Sequence, residues 1–287
     1  MDRRNFLTTV GMAVGATFIG GNAKASENVE MMGILIDTTK CLGCRSCEYS
    51  CAEVNKLPEP SDDSDELYKS LRKTSENSWT VVNRFEVNGN EIFVKEQCMH
   101  CAQPACAAAC LTKAMYKTKE GPVVWDGSKC MGCRFCMISC PFDVPKFEYF
   151  SANPKISKCV MCWERLEKGE LPACAENCPT ETVVFGKRSD LIHEANRRIY
   201  SESDSYVKHI YGEHEVGGTG VLYLSSVPFE KLKFRNDLGN DAYPELTKEF
   251  LYAVPVILTL FPAFLLALSN STKREKSLTE SEGGNGH

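Results

Sequence analysis

The 287-residue sequence is poor in the features that announce catalysis. Its five histidines include His100, His193, His209 and His214, which form no ligand constellation. No nucleophile sits with a base in a recognisable pattern, no carboxylate pair reads as an acid/base dyad, and no phosphate-cradling loop is present. The Gly-rich stretch Gly217-Gly218-Thr219-Gly220 lacks a strand-loop-helix setting and reads as packing or partner contact. A formal net charge of -5 gives no global attraction for nucleic acid, so no nucleic-acid partner is expected. No histidine follows a C-x2-C pair, since Arg45, Ala102, Arg134 and Trp163 stand there, and this excludes attached c-type haem. At 43% hydrophobic and 25% charged, the chain is neither collagenous nor disordered throughout.

What the sequence has in excess is cysteine, 16 in all. They fall in four groups: Cys41, Cys44, Cys47, Cys51; Cys98, Cys101, Cys106, Cys110; Cys130, Cys133, Cys136, Cys140; and Cys159, Cys162, Cys174, Cys178. The first and third, CLGCRSCEYSC and CMGCRFCMISC, share C-x2-C-x2-C-x3-C spacing and match at seven of eleven positions, an internal repeat. The second and fourth are the same unit with a longer middle gap. Three thiolates in such a loop can wrap one cubane, while the fourth, expected to be carried into the following helix, points to a neighbouring cluster. Each motif then gives three ligands to one cluster and one to another, so motifs work in pairs and four motifs imply four [4Fe-4S] clusters. A disulfide framework suits smaller domains, and four-cysteine zinc sites use two C-x2-C pairs separated by a longer stretch. Both leave the repeated spacing unexplained. With all sixteen thiols assigned as metal ligands, no catalytic residue is expected.

The two ends read as membrane-related. Residues 1-25 carry Arg3-Arg4-Asn5-Phe6, a mildly apolar stretch and Ala23-Lys24-Ala25, the parts of a twin-arginine signal peptide. That route exports proteins already folded around their cofactors, which reconciles clusters with an oxidising periplasm. Near the other end, Phe250 to Leu268 is a run without charge, and residues 249-269 are expected to form a transmembrane helix. Lys273, Arg274 and Lys276 follow it, placing residues 270-287 as a cytoplasmic tail and the bulk on the periplasmic face. Ser277 to His287 is polar and Gly-rich and is expected to be disordered.

Between these ends, residues 26-188 read as an α+β, tandem ferredoxin-like domain, and residues 189-248 as an extension with a helix over Leu191 to Tyr200. Asn88-Gly89 between apolar runs predicts a hairpin, and Met115 to Trp125 predicts a second. Arg45 and Arg134 recur at the same place in the repeat, and Lys40, Lys129 and Lys158 each precede a motif by one residue. A cation beside a cluster would raise its potential; a solvated surface charge is the competing reading.

On these cysteine groups the stretch from Cys41 to Gly186 resembles the four-cluster, tandem-ferredoxin electron-transfer subunits of membrane oxidoreductases. Within that group it is similar to the iron-sulfur subunits of hydrogenase-2. The likeness rests on RRNF, KEQCMHC at 95-101, GCRFCMISCPFDVPKF at 132-147, LPACAENCP at 171-179 and YGEHEVGGTGVLYLSSVPFEKL at 211-232. Leu111 departs from the family's usual proline. Linker lengths leave the pairing of motifs open, but the resemblance implies a nested one. Cluster one would use Cys41, Cys44, Cys47 and Cys178, and cluster two Cys159, Cys162, Cys174 and Cys51. Cluster three would use Cys98, Cys101, Cys106 and Cys140, and cluster four Cys130, Cys133, Cys136 and Cys110. The resemblance further implies a non-catalytic subunit passing electrons between a [NiFe] hydrogenase and an integral membrane quinone-reactive subunit. The alternative is a beta subunit of a molybdopterin oxidoreductase such as formate dehydrogenase or polysulfide/DMSO reductase.

Overall fold

The apolar run from Gly33 to Ile36 forms the middle strand of the sheet on which the chain is organised. The computed structural model describes residues 30-62 and 67-282. The signal peptide expected at residues 1-25 lies outside the described residues. Along the chain follow β1 (Met32–Asp37), α1 (Ser46–Asn55), the hairpin of β2 (Val81–Val87) and β3 (Asn90–Glu96), and the short α2 (Ala105–Ala108). Next come the hairpin of β4 (Met115–Lys117) and β5 (Val123–Trp125), α3 (Phe135–Ser139), the paired β6 (Lys146–Phe147) and β7 (Ile156–Ser157), α4 (Trp163–Leu166) and α5 (Ala173–Glu176). The chain closes with β8 (Val183–Lys187), α6 (Arg188–Ser201), β9 (Val221–Leu224) and α7 (Tyr243–Glu282).

The main sheet has the order β8-β1-β9, with β1 antiparallel to β8 and parallel to β9. Strand β9 belongs to the 189-248 stretch, so this extension shares a sheet with the cysteine-bearing part. Side chains of β1 alternate between two cores, as the period of a strand requires. Ile34 and Ile36 enter the core that includes Cys174, Tyr211 and Tyr223, while Leu35 enters the core under α6. Helix α6 covers this second core with Leu191, Ala195 and Ile199, spaced four apart on one face. Asp37, fully buried at the end of β1, accepts from the Arg198 guanidinium at 2.8 Å and the Tyr206 hydroxyl at 2.9 Å, which fastens α6 to the sheet.

Both expected hairpins form, and Asn88 and Gly89 take φ of 57° and 78°, as the two central residues of a tight β2–β3 turn require. The helix read at Leu191 to Tyr200 is the body of α6. Helix α7 is longer than the apolar run it contains, starting at Tyr243 and continuing to Glu282. Tail residues from Ser277 to Glu282 are thus helical where disorder was expected, because no helix breaker occurs between Pro262 and Gly283. Removing buried volume at the sheet has a calculable cost: Leu35→Ala is expected to lower the unfolding free energy by about 2–5 kcal/mol, seen as earlier loss of far-UV circular dichroism on heating.

Candidate metal centre

The four cysteine motifs share one backbone feature. The third residue of every C-x2-C pair, Gly43, His100, Gly132 or Met161, has a positive φ of 69°, 46°, 71° or 55°. This left-handed turn folds each pair into a loop. Glycine is free of steric cost there. At Gly43 space also demands it, since a Cβ would lie 2.5 Å from the Phe93 ring. In the repeat, Arg45 and Arg134 have φ of 60° and 59° and open α1 and α3, which carry the third cysteines Cys47 and Cys136.

These loops bring the sixteen cysteines together in four sets. One cavity is lined by Cys41, Cys44, Cys47 and Cys178. A second is lined by Cys51, Cys159, Cys162 and Cys174. A third is lined by Cys110, Cys130, Cys133 and Cys136. The remaining four are mutual neighbours, Cys101 lying within electrostatic range of Cys98, Cys106 and Cys140. Every set takes three sulfurs from one motif and one from another.

The sets also stand in order. Cys47 of the first lies within electrostatic range of Cys174 of the second, as does Cys159 of the second of Cys98 of the third, and Cys106 of the third of Cys136 of the fourth. Exposed cysteines occur only at the two ends, Cys44 in the first set and Cys133 in the fourth. Burial pushes several thiols up, Cys106 and Cys159 of the inner sets to about 12 and Cys136 of the fourth to about 11, so as free thiols they are protonated at neutral pH. Cys110 and Cys178 go the other way. Burial opposes their ionisation, yet backbone N–H groups, including Met115 at 3.3 Å from the Cys110 sulfur, together with the Thr112 and Thr180 hydroxyls, outweigh it and lower their pKa.

The residues fit a thiolate-bound iron-sulfur cube. Each set offers four sulfurs, and no His, Asp or Glu lines the three cavities. Among the described residues no group of three or more His, Cys, Asp or Glu side chains converges as a lone metal ion requires.

Comparison with known proteins agrees with this geometry. Residues 90–188 match the 4Fe-4S dicluster domain family. A protein of Nitratidesulfovibrio vulgaris is 45% identical over 98% of this chain and 80% of its own length. The hydrogenase-2 operon protein HybA of Escherichia coli O157:H7 is 33% identical over 100% of this chain and 99% of its own. The chain belongs to the hydrogenase-2 iron-sulfur subunit family. The formate dehydrogenase-O iron-sulfur subunit of Escherichia coli K12 is a further relative, 32% identical over 70% of this chain and 69% of its own.

In this member of the hydrogenase-2 iron-sulfur subunit family the cations singled out by sequence have different fates. Lys129 is exposed and paired with Asp126 at 2.9 Å, and Lys40 is exposed. The Arg134 guanidinium lies over the Phe147 and Tyr149 rings. Arg45 is buried but committed to Glu48 at 2.9 Å and the Ser61 carbonyl at 2.8 Å. Arg45 and Arg134 line the cavities of the first and fourth sets, but among the described residues only Lys158 of the five makes a polar contact with a cysteine sulfur: 1% exposed, its ammonium is 3.8 Å from the Cys98 sulfur and donates to the Val123 and Cys159 carbonyls. His100 is a packing residue, buried with Nδ1 accepting the Val123 N–H at 2.9 Å. The Gly217-Gly220 loop packs on the second motif, where Gly218 accepts from the Ala102 N–H and Gly220 donates to Met99.

Among the buried charges that sequence reasoning missed, two lie against the cysteine motifs. Glu48, on α1, accepts from Arg45, from Arg72 at 2.5 Å and from the Val82 N–H at 2.5 Å, tying α1 to β2 and to the segment after the first motif. The other is Lys95. Lys95 stands three residues before Cys98, next to Glu96, where a lone lysine reads as surface. Glu48→Ala leaves two guanidinium groups without their carboxylate and is expected to cost about 3–5 kcal/mol, measurable as a lowered thermal unfolding midpoint; an unchanged midpoint would sink this account of α1.

Proposed function

We propose that this chain is a non-catalytic electron-transfer subunit of a membrane-bound [NiFe] hydrogenase, holding four [4Fe-4S] clusters. The observation that carries the reading is the ordered succession of four cysteine sets, exposed only at its two ends. Cys41, Cys44, Cys47 and Cys178 hold the first cluster, and Cys51, Cys159, Cys162 and Cys174 the second. Cys98, Cys101, Cys106 and Cys140 hold the third, and Cys110, Cys130, Cys133 and Cys136 the fourth. When bound, each cluster supplies a site that takes up and releases one electron. The chain's own contribution is to space these sites, to keep water from the inner two, and to present the outer two to partners. Leu42, 71% exposed beside the first set, and Leu111 and Ile138, 85% and 81% exposed beside the fourth, offer apolar contact at both ends.

The hydrogenase reading is supported by full-length likeness to HybA, whereas the formate dehydrogenase subunit aligns over a shorter part. In this reading electrons pass from the hydrogenase through the chain to a quinone-reactive membrane subunit. Helix α7 supports an anchor: its candidate span, Tyr243–Asn270, reaches a mean hydropathy of 2.3 and none of its most apolar window is buried. Pro255 and Pro262 lie inside it and suit a bilayer helix, whose freed carbonyls find other donors. The cations after the span favour a periplasmic bulk, in keeping with the twin-arginine leader.

Purified full chain is expected to carry about sixteen irons and as many acid-labile sulfides, and Cys133→Ser to disturb one cluster while the other three keep their electron paramagnetic resonance signals. Colourless protein carrying zinc would overturn the reading. Co-purification in mild detergent identifies the partner, and a molybdopterin protein in place of a nickel-iron one would move the assignment to the formate dehydrogenase side. The chain is expected to stay with membranes through an alkaline carbonate wash; its release would contradict the anchor.

A further inference from the structure

Lys95 is the last side chain of the β2–β3 hairpin to point inward before the second motif, and it is 1% exposed. Its ammonium donates to the side-chain oxygen of Gln97, its hydrogen-bond acceptor among the described residues. The backbone here is held in place, because the buried Tyr223 hydroxyl donates to the Lys95 carbonyl at 2.9 Å. A buried ammonium needs a counter-charge. The nearest buried acid on α1, Glu48, is already matched by Arg45 and Arg72. What surrounds Lys95 instead is sulfur: it lines both the cavity of Cys41, Cys44, Cys47 and Cys178 and that of Cys51, Cys159, Cys162 and Cys174. It lies within electrostatic range of Cys47 from the first set and of Cys51, Cys159 and Cys174 from the second. Gln97 also lines the second cavity, and with its oxygen turned to Lys95 its amide nitrogen is buried without a partner among the described residues.

We propose that Lys95 is a shared potential-setting residue, one buried cation placed between the first two electron sites so that it favours an electron on either of them. The inference rests on the cluster reading given above. Four thiolates around a [4Fe-4S] core make an anion that gains one negative charge on reduction, so a fixed positive charge favours the reduced form and raises the potential. An electron passed between these sites leaves one oxidised and the other reduced; no bond is made or broken and no proton moves. Because Lys95 faces both, its stabilisation is not lost in the transfer. Lys95 is a positioning residue for charge, touching no substrate.

The test is a potentiometric titration followed by electron paramagnetic resonance on the full chain, comparing wild type with Lys95→Met and Lys95→Arg. With iron fully loaded, Lys95→Met is expected to lower the midpoint potentials of two clusters and leave the other two in place, while Lys95→Arg keeps all four near wild type. Unshifted potentials in a fully loaded Lys95→Met chain would overturn the proposal. Should Lys95→Met lose iron, a loss of about half, with full loading in Lys95→Arg, supports a requirement for charge at this point; equal loss in both variants means the position is one of packing and overturns it. A wild-type chain without iron would instead contradict the cluster reading itself, so the two failures are distinct.

Discussion

The exchange of single cysteines between distant motifs is the constraint on which the rest of this structure depends. Cys51 leaves the first motif to join Cys159, Cys162 and Cys174, and Cys178 returns to join Cys41, Cys44 and Cys47. Chain segments more than a hundred residues apart must therefore meet within a few ångströms on both sides of the same boundary. The pairing of β1 with β8 provides this, since β1 leads into the first motif and β8 leaves the fourth. A slip of one residue in that register would turn Ile34 and Ile36 away from the core containing Cys174. The same logic links motifs two and three through Cys110 and Cys140, so the interior is two crossed pairs laid end to end.

Charge inside this frame is arranged in two ways. Glu48 is a fully matched acid with two guanidinium partners, and it holds helix α1 to the hairpin. Lys95 and Lys158 are cations without carboxylate partners among the described residues, and both face cysteine sulfur. Burial alone would disfavour the charged form of Lys95 and keep the inner thiols protonated. A bound anionic cluster would reverse both preferences, its thiolates and core supplying the counter-charge. Lysine and cysteine are thus complementary only in the loaded protein.

Part of the centre was legible in the sequence because cysteine spacing is a local signal: the three-cysteine loops and the two hairpins follow from a few adjacent residues, whereas of the fourth cysteines only Cys51 lies in the helix expected to carry it, Cys110, Cys140 and Cys178 falling beyond the ends of theirs. The helix at Leu191 was legible from its four-residue apolar spacing. The central sheet was not, because Gly33 to Ile36 and Val221 to Leu224 are short apolar runs with no alternation, and their parallel pairing joins opposite ends of the chain. Motif pairing was silent for the same reason: linker length does not encode which sulfurs meet. Lys95 and Glu48 escaped because an isolated charged residue reads as surface until its neighbours are known. The length of α7 was underestimated because a polar sequence without breakers continues a helix as readily as an apolar one.

We propose that electrons pass through four successive one-electron sites. A reductive titration of the purified full chain against a calibrated reductant counts them. About four electrons per chain, with growing magnetic interaction between neighbouring sites as uptake proceeds, is the expected result; uptake of none, or of two with no such interaction, would contradict the account.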